Sequence, residues 1–189
     1  MKHGSIVGIV SFQGGVEEHL LVCEKLGVSC KRVLSPKDME EVTHLIIPGG
    51  ESTVIGRFFR ETGLDKALIK RWKEKKVKIW GTCAGAIILG CEASPYSLGL
   101  INVALERNAY GRQIASFHAE IKVPILKKNI PATFIRAPKI VKVGESVQVL
   151  ATYDGTPVLC QNKEGILIST FHPELTDSTF LHRYFLGEC

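Results

Sequence analysis

The chain has 189 residues, 45% of them hydrophobic, and a formal net charge of +5; that suffices for one well-buried core and is short for two, so a single domain over residues 1–189 is expected. No apolar run approaches a membrane span, and residues 1–4 lead straight into a predicted strand without a signal-type segment, so the expected protein is soluble and unprocessed, with no membrane partner. The densest basic stretch, residues 70–78, reads as a solvated helix face rather than a nucleic-acid site, and six cysteines without a C-x-x-C pair or regular spacing fit a reducing cytoplasm.

Residues 5–12 form a mostly apolar run suited to a strand buried on both faces. Val16, Leu20, Cys23 and Leu26 then recur at helical spacing, Gly27 ends that helix, and residues 28–33 read as a second strand. Ser35 as N-cap, Pro36 at the first helical position and Asp38 in the first turn open a short helix. Residues 43–47 are a third strand, followed by the glycine-rich turn Pro48-Gly49-Gly50-Glu51-Ser52 and a helical stretch over 53–62. After the segment 64–76, the apolar Val77-Lys78-Ile79-Trp80 leads into Gly81-Thr82-Cys83-Ala84-Gly85, and small and apolar residues lead out.

The second half is richer in strands, at 101–105, 113–123, 133–135, 146–152, 157–161 and 166–171, some of them antiparallel, and a helix over 178–186 closes the chain. Repeated strand–helix units argue for a parallel sheet covered on both faces, which places ligands at the carboxyl ends of the strands. Cys83, the Gly49-Gly50 turn and His172 all fall at such ends.

A cysteine on a tight strand-to-helix turn has the geometry of a nucleophile elbow. The start of a helix favours an anionic sulfur, and free backbone N–H groups there can hold a second developing negative charge. His172-Pro173-Glu174 ends the last strand, where residues two apart share a face and Pro173 keeps His172 out of the helical region. Nucleophile, base and orienting acid, Cys83, His172 and Glu174, are thus all present. On these residues alone a cysteine hydrolase and a non-catalytic binding domain both stay open. His19, His44, His118 and His182 lack a metal-ligand pattern with one another and read as core or surface residues.

With those residues in place, the chain resembles the class I glutamine amidotransferases. Within them it is similar to the family of glutaminase subunits of pyridoxal 5'-phosphate synthase. The resemblance rests on Pro48-Gly49-Gly50-Glu51-Ser52-Thr53, Gly81-Thr82-Cys83-Ala84-Gly85, Glu106-Arg107-Asn108, Gly111-Arg112-Gln113, Phe134-Ile135-Arg136-Ala137-Pro138 and Phe171-His172-Pro173-Glu174-Leu175-Thr176. It runs from the first strand to about Phe185. Departures are Ser11-Phe12-Gln13-Gly14-Gly15 in place of a Gly-Leu-Gln-Gly-Ala pattern, Glu17 where arginine is frequent, a shorter segment 90–97, and His118 where glutamate is common.

The resemblance implies an α/β, flavodoxin-like three-layer sandwich with a mostly parallel central sheet and additional antiparallel strands in the second half. It implies hydrolysis of L-glutamine to L-glutamate and ammonia through a Cys83-His172-Glu174 triad, without a cofactor. It also implies transfer of ammonia to a synthase subunit in a hetero-oligomer that makes pyridoxal 5'-phosphate, with activity that generally depends on docking. Gly50 and Ala84 become the oxyanion hole, and Gly50, Glu51, Ser52, Arg107, Ile135 and Arg136 the glutamine contacts. A glutaminase serving another ammonia acceptor and a flavodoxin-like cysteine hydrolase are the alternatives.

Overall fold

The computed structural model describes residues 4–91, 94–107 and 116–188. Its first half alternates strand and helix: β1 (Ile6–Val10), α1 (Val16–Leu26), β2 (Ser29–Val33), a 3₁₀ turn (Pro36–Met39), β3 (His44–Ile47), α2 (Ser52–Thr62), α3 (Leu64–Lys73), β4 (Lys78–Thr82) and α4 (Ala84–Leu89). Local chemistry sets several boundaries. Gly27 stops α1 at a φ of 65°, a left-handed conformation that costs glycine little. Asp38 accepts hydrogen bonds from the Ser35 N–H at 2.9 Å and the Ser35 hydroxyl at 2.8 Å, which closes the Pro36 turn.

The second half contributes β5 (Val103–Glu106), β6 (Ser116–Val123), β7 (Lys128–Ile135), β8 (Lys139–Val143), β9 (Val147–Tyr153), β10 (Thr156–Asn162) and β11 (Ile166–Ser169). A 3₁₀ turn (Pro173–Leu175) and α5 (Phe180–Leu186) follow. Seven strands form the central sheet in the order β2-β1-β3-β4-β11-β10-β9. The first five are mutually parallel, and β10 and β9 join antiparallel.

Alternate residues of each central strand enter different cores: Leu45, Ile47, Ile79, Ile166 and Ile168 on one face, Ile46, Trp80 and Leu167 on the other. Both faces are apolar because both are covered, which is why these strands read as largely hydrophobic runs. Helices α2, α3 and α4 with the β5–β8 pair supply one outer layer. Helices α1 and α5 with the β6–β7 hairpin supply the other. The sheet of an α/β three-layer sandwich, mostly parallel with antiparallel additions, follows directly.

Three departures from the sequence expectation have a clear structural cause. The strand expected at 133–135 extends back to Lys128, because β7 pairs with β6 along its whole length, from Ser116 opposite Ile135 to Val123 opposite Lys128. β8 was not expected; its lysine-rich alternation becomes a strand by pairing with β5. The last strand ends at Ser169 instead of 171, since the Thr170 and His172 N–H groups turn to the Val158 and Thr133 carbonyls at 3.0 and 2.8 Å. Residues 113–115 of the expected sixth-strand region, Gly111-Arg112-Gln113, Asn108, part of segment 90–97, and Cys189 lie outside the described residues.

His44 on β3 packs edge-on against Phe185 of α5, 5.2 Å between ring centres, and its buried Nε2 has no hydrogen-bond partner among the described residues. Burial first, and Lys78 second, push its pKa down to about 4. The unfolded residue titrates near 6.5, so between those values only the unfolded chain binds the proton; the stabilisation is complete above pH 6.5 and is lost as pH falls toward 4. His19 and His182, also lowered by burial, act in the same direction. The urea midpoint is therefore expected to fall between pH 7 and pH 5, and His44→Phe to flatten that dependence; an unchanged slope in the variant would remove His44 from the account.

Candidate active site

The turns after β1, β3, β4 and β11 meet at the carboxyl edge of the sheet, bringing Gln13, Gly50, Cys83 and His172 to one cleft. Cys83 caps α4 with φ 48° and ψ −102°, a conformation unusual for a residue with a Cβ. Its surroundings hold it there. The Cys83 N–H donates to the Ser169 carbonyl at 2.8 Å, and the Cys83 carbonyl accepts from the Ala86 N–H at 3.1 Å. A Cβ on Gly85 would overlap the Ile47 carbonyl, and one on Gly81 would lie 2.8 Å from the Ala86 nitrogen, so this helix can start against the sheet only with glycine at both positions.

The turn after β3 is tied to the same elbow: the Gly49 N–H donates to Thr82 Oγ1 at 3.0 Å. Gly49 also lies between the Cys83 and His172 side chains. A Cβ there would overlap His172 Cε1 and sit 2.9 Å from His172 Nδ1 and 3.1 Å from Cys83 Cβ. The α2 N-terminus opens immediately after, with Glu51 as its N-cap; the Glu51 carboxylate accepts from the Thr53 hydroxyl at 3.0 Å and from Arg107 at 2.9 Å. Hydrogen bonding from Thr53 and the charge of Arg107 hold Glu51 below the usual carboxylate range.

His172 is seated by its N–H bond to Thr133, and its Nδ1 lies 2.8 Å from Glu174 Oε1. The expected pairing of these side chains across an extended dipeptide is corrected here. Pro173 begins a 3₁₀ turn, for which its fixed φ is suited, and the turn folds Glu174 back beneath the imidazole. Burial alone would lower the His172 pKa, but hydrogen bonding with Cys83 and Glu174 and the charges of both carry it up to about 10. Burial likewise works to raise Glu174, yet His19 and His172 hold it below the ordinary carboxylate range.

The cleft has a volume of about 180 Å³. Pockets for drug-sized ligands span roughly 300–1,000 Å³, so this smaller cleft suits a smaller metabolite. Gly50, Glu51, Ser52, Cys83, Ala84, Arg107, Ile135, Arg136 and His172 all line it, and Glu174 lies buried behind His172. Arg136 enters at a φ of 43° directly after Ile135, whose carbonyl faces the Cys83 sulfur at 3.8 Å. Gln13 and Ile87 also line the cleft and were not anticipated. The signal for Gln13 was its place just past the end of β1; its side-chain oxygen accepts from the Glu51 N–H at 3.1 Å.

Three of the unusual sequence positions have structural partners outside the cleft. Phe12 stacks on Phe58 with ring centres 5.1 Å apart, Glu17 pairs with Arg32, and His118 Nδ1 is 3.0 Å from Thr133 Oγ1. Among the described residues no group of three or more His, Cys, Asp or Glu is arranged to hold a metal, and no helix is long and apolar enough to cross a membrane. Cys23, Cys30, Cys83, Cys91 and Cys160 are free thiols.

Comparison with known proteins places this geometry in context. The profile described as the SNO glutamine amidotransferase family matches residues 9–189. A protein of Thermotoga petrophila named pyridoxal 5'-phosphate synthase subunit PdxT is 47% identical over 185 residues, covering 95% of this chain and 97% of the relative. Its namesake from Thermosipho africanus is 46% identical over 184 residues, covering 96% and 97%. A solved structure titled as a glutamine amidotransferase superposes with a TM-score of 0.91 at 42% identity, over 96% of this chain and 97% of its own.

The crowding at Gly49 generates a test that needs no substrate. Gly49→Ala has to displace the His172 ring, so alkylation of Cys83 by iodoacetamide is expected to slow by about tenfold or more as the sulfur loses its charged neighbour. Mass spectrometry of the Cys83 peptide gives the rate; an unchanged rate would contradict the contact.

Proposed function

The chain belongs to the SNO glutamine amidotransferase family, and on that premise we propose that Cys83, His172 and Glu174 carry out its chemistry as a catalytic triad. It is a glutaminase subunit of pyridoxal 5'-phosphate synthase, releasing ammonia from L-glutamine for the synthase subunit. The assembly we propose is a hetero-oligomer in which the cleft delivers ammonia to that partner. The observation that carries the triad is the thiol held on a strained strand-to-helix turn, with a hydrogen-bonded imidazole–carboxylate pair facing it across Gly49.

In the proposed reaction the Cys83 sulfur attacks the side-chain amide carbon of glutamine, forming a tetrahedral adduct. Protonated His172 gives its proton to the departing nitrogen, and ammonia leaves a glutamyl thioester on Cys83. Water then attacks the thioester carbonyl while His172 takes its proton, and the C–S bond breaks to release glutamate. Glu174 keeps the Nδ1–H of the imidazole oriented through both steps. The Gly50 and Ala84 amides are the proposed oxyanion donors, and no acceptor among the described residues takes either of them. Removing one such donor costs about 3 kcal/mol in comparable sites.

The remaining cleft residues fit the two ends of an amino acid. Arg107 and Arg136 supply positive charge for an α-carboxylate. Glu51, fixed by Thr53 and Arg107, supplies a carboxylate near the site of an ammonium, and Ser52 and the Ile135 backbone complete the wall.

Cys83→Ser and His172→Asn, each assayed with the synthase subunit, are expected to lower glutamate release by at least roughly a thousandfold. Because His172 holds its proton up to about pH 10, ammonia release by the unmodified enzyme is expected to decline as pH rises through that value. Turnover close to normal in either variant would sink the triad assignment.

A further inference from the structure

Behind the cleft lies a second pair of imidazoles that the reaction as written does not use. His19, on the second turn of α1, is fully buried, and its Nε2 lies 3.4 Å from Glu174 Oε2, the oxygen that His172 leaves free. Its Nδ1 lies 2.9 Å from Nε2 of His182 on α5. Trp80 packs edge-on against both rings, with ring centres 6.0 and 4.9 Å away. The line runs from α5 through α1 to the 3₁₀ turn, with His182, His19, Glu174 and His172 in succession and a close approach, outside hydrogen-bond geometry, at the His19–Glu174 step.

Proton bookkeeping selects one arrangement of this line. Burial lowers the pKa of both His19 and His182, against a raising influence of Glu174 on His19, and so favours neutral rings with one N–H each. If His19 held its proton on Nδ1, its Nε2 lone pair would face Glu174 Oε2, a buried carboxylate oxygen with no hydrogen-bond partner among the described residues, relieved only by the Thr82 hydroxyl at 3.5 Å. That repulsion in a low-dielectric interior is costly. The proton therefore belongs on His19 Nε2, aimed at Glu174, and His19 Nδ1 accepts from the Nε2–H of His182. His182 Nδ1 is left as a bare acceptor, and it is buried without a hydrogen-bond partner among the described residues, consistent with this assignment.

We propose that His19, with its tautomer set by His182, is a positioning residue that clamps the second oxygen of Glu174 and so holds the carboxylate square to His172. Gly15 leaves room for the clamp: a Cβ there would lie 2.8 Å from Glu174 Oε1. The α1 N-terminus, which begins at Val16, adds a favourable field for the same carboxylate. The inference rests on the triad reading for its catalytic consequence, but the approach of His19 to Glu174 and to His182 stands on geometry alone.

The test has two arms. In the unmodified protein with ¹⁵N-labelled histidine, ring nitrogen shifts at pH 7.5 are expected to show His19 and His182 neutral and protonated at Nε2, each assigned from a single-site variant. A His19 proton on Nδ1, or a charged His19 ring, overturns the proposal whether or not the protein turns over glutamine. In the assay with the synthase subunit, His19→Leu is expected to lower kcat by about 10- to 100-fold, the effect of losing a hydrogen bond to a charged group, with KM for glutamine little changed. His19→Gln, whose amide can restore an N–H toward Glu174, is expected to recover most of that loss. A His19→Leu enzyme with normal kcat, or a Gln variant no better than Leu at equal thermal stability, overturns it as well. Absence of turnover in the unmodified protein with expected tautomers would count against the triad and leave the clamp standing.

Discussion

The pairing of β4 with β11 is the constraint on which the site depends. Thr82 and Ser169 are register partners in parallel strands, and the next N–H along, that of Cys83, still donates to the Ser169 carbonyl. This one edge of hydrogen bonds joins a turn in the middle of the chain to a strand near its end. A parallel ladder also brings both strand ends out on the same side of the sheet, so the elbow and the imidazole emerge together. A slip of one residue would turn the alternating side chains of β11 to the opposite cores, which gives the register a strong hydrophobic guard.

Close approach is the second theme. The elbow, the β3 turn and the imidazole are packed so tightly that Gly49, Gly81 and Gly85 have no space for a side chain. What looks in sequence like a scatter of turn-forming residues is a set of positions where backbone meets backbone or ring. The left-handed φ of Cys83 is held by that packing, and its effect is to present the sulfur at the mouth of the cleft rather than toward the sheet.

Charge is handled by pairing inside and by solvent outside. Glu174 is buried with imidazoles on both sides, whereas Glu51 and Arg107 meet at the half-exposed rim. A buried carboxylate left with one partner would be poorly fixed and costly; two neighbours give it a single orientation. Trp80 and the aromatic contacts of α5 close this polar line off from the solvent-facing surface of the molecule.

Much of this was legible in the chain itself. Mostly apolar runs marked β1, β3 and β4, helical spacing with Gly27 marked α1, and small residues around Cys83 marked the elbow, because those patterns are dictated by local backbone geometry and two-sided burial. The lysine-rich β8 and the early half of β7 were not legible, since they become strands only by pairing with β5 and β6. Nor could spacing show that Pro173 would start a 3₁₀ turn, or that His19 and His182, 163 residues apart, would meet behind Glu174. The sequence by itself determined which chemistry-bearing side chains the chain carries and that they lie at or just beyond the carboxyl ends of central strands. Tertiary structure alone decided which of those groups touch, because contacts between distant segments depend on sheet register and helix placement, and no local pattern encodes either.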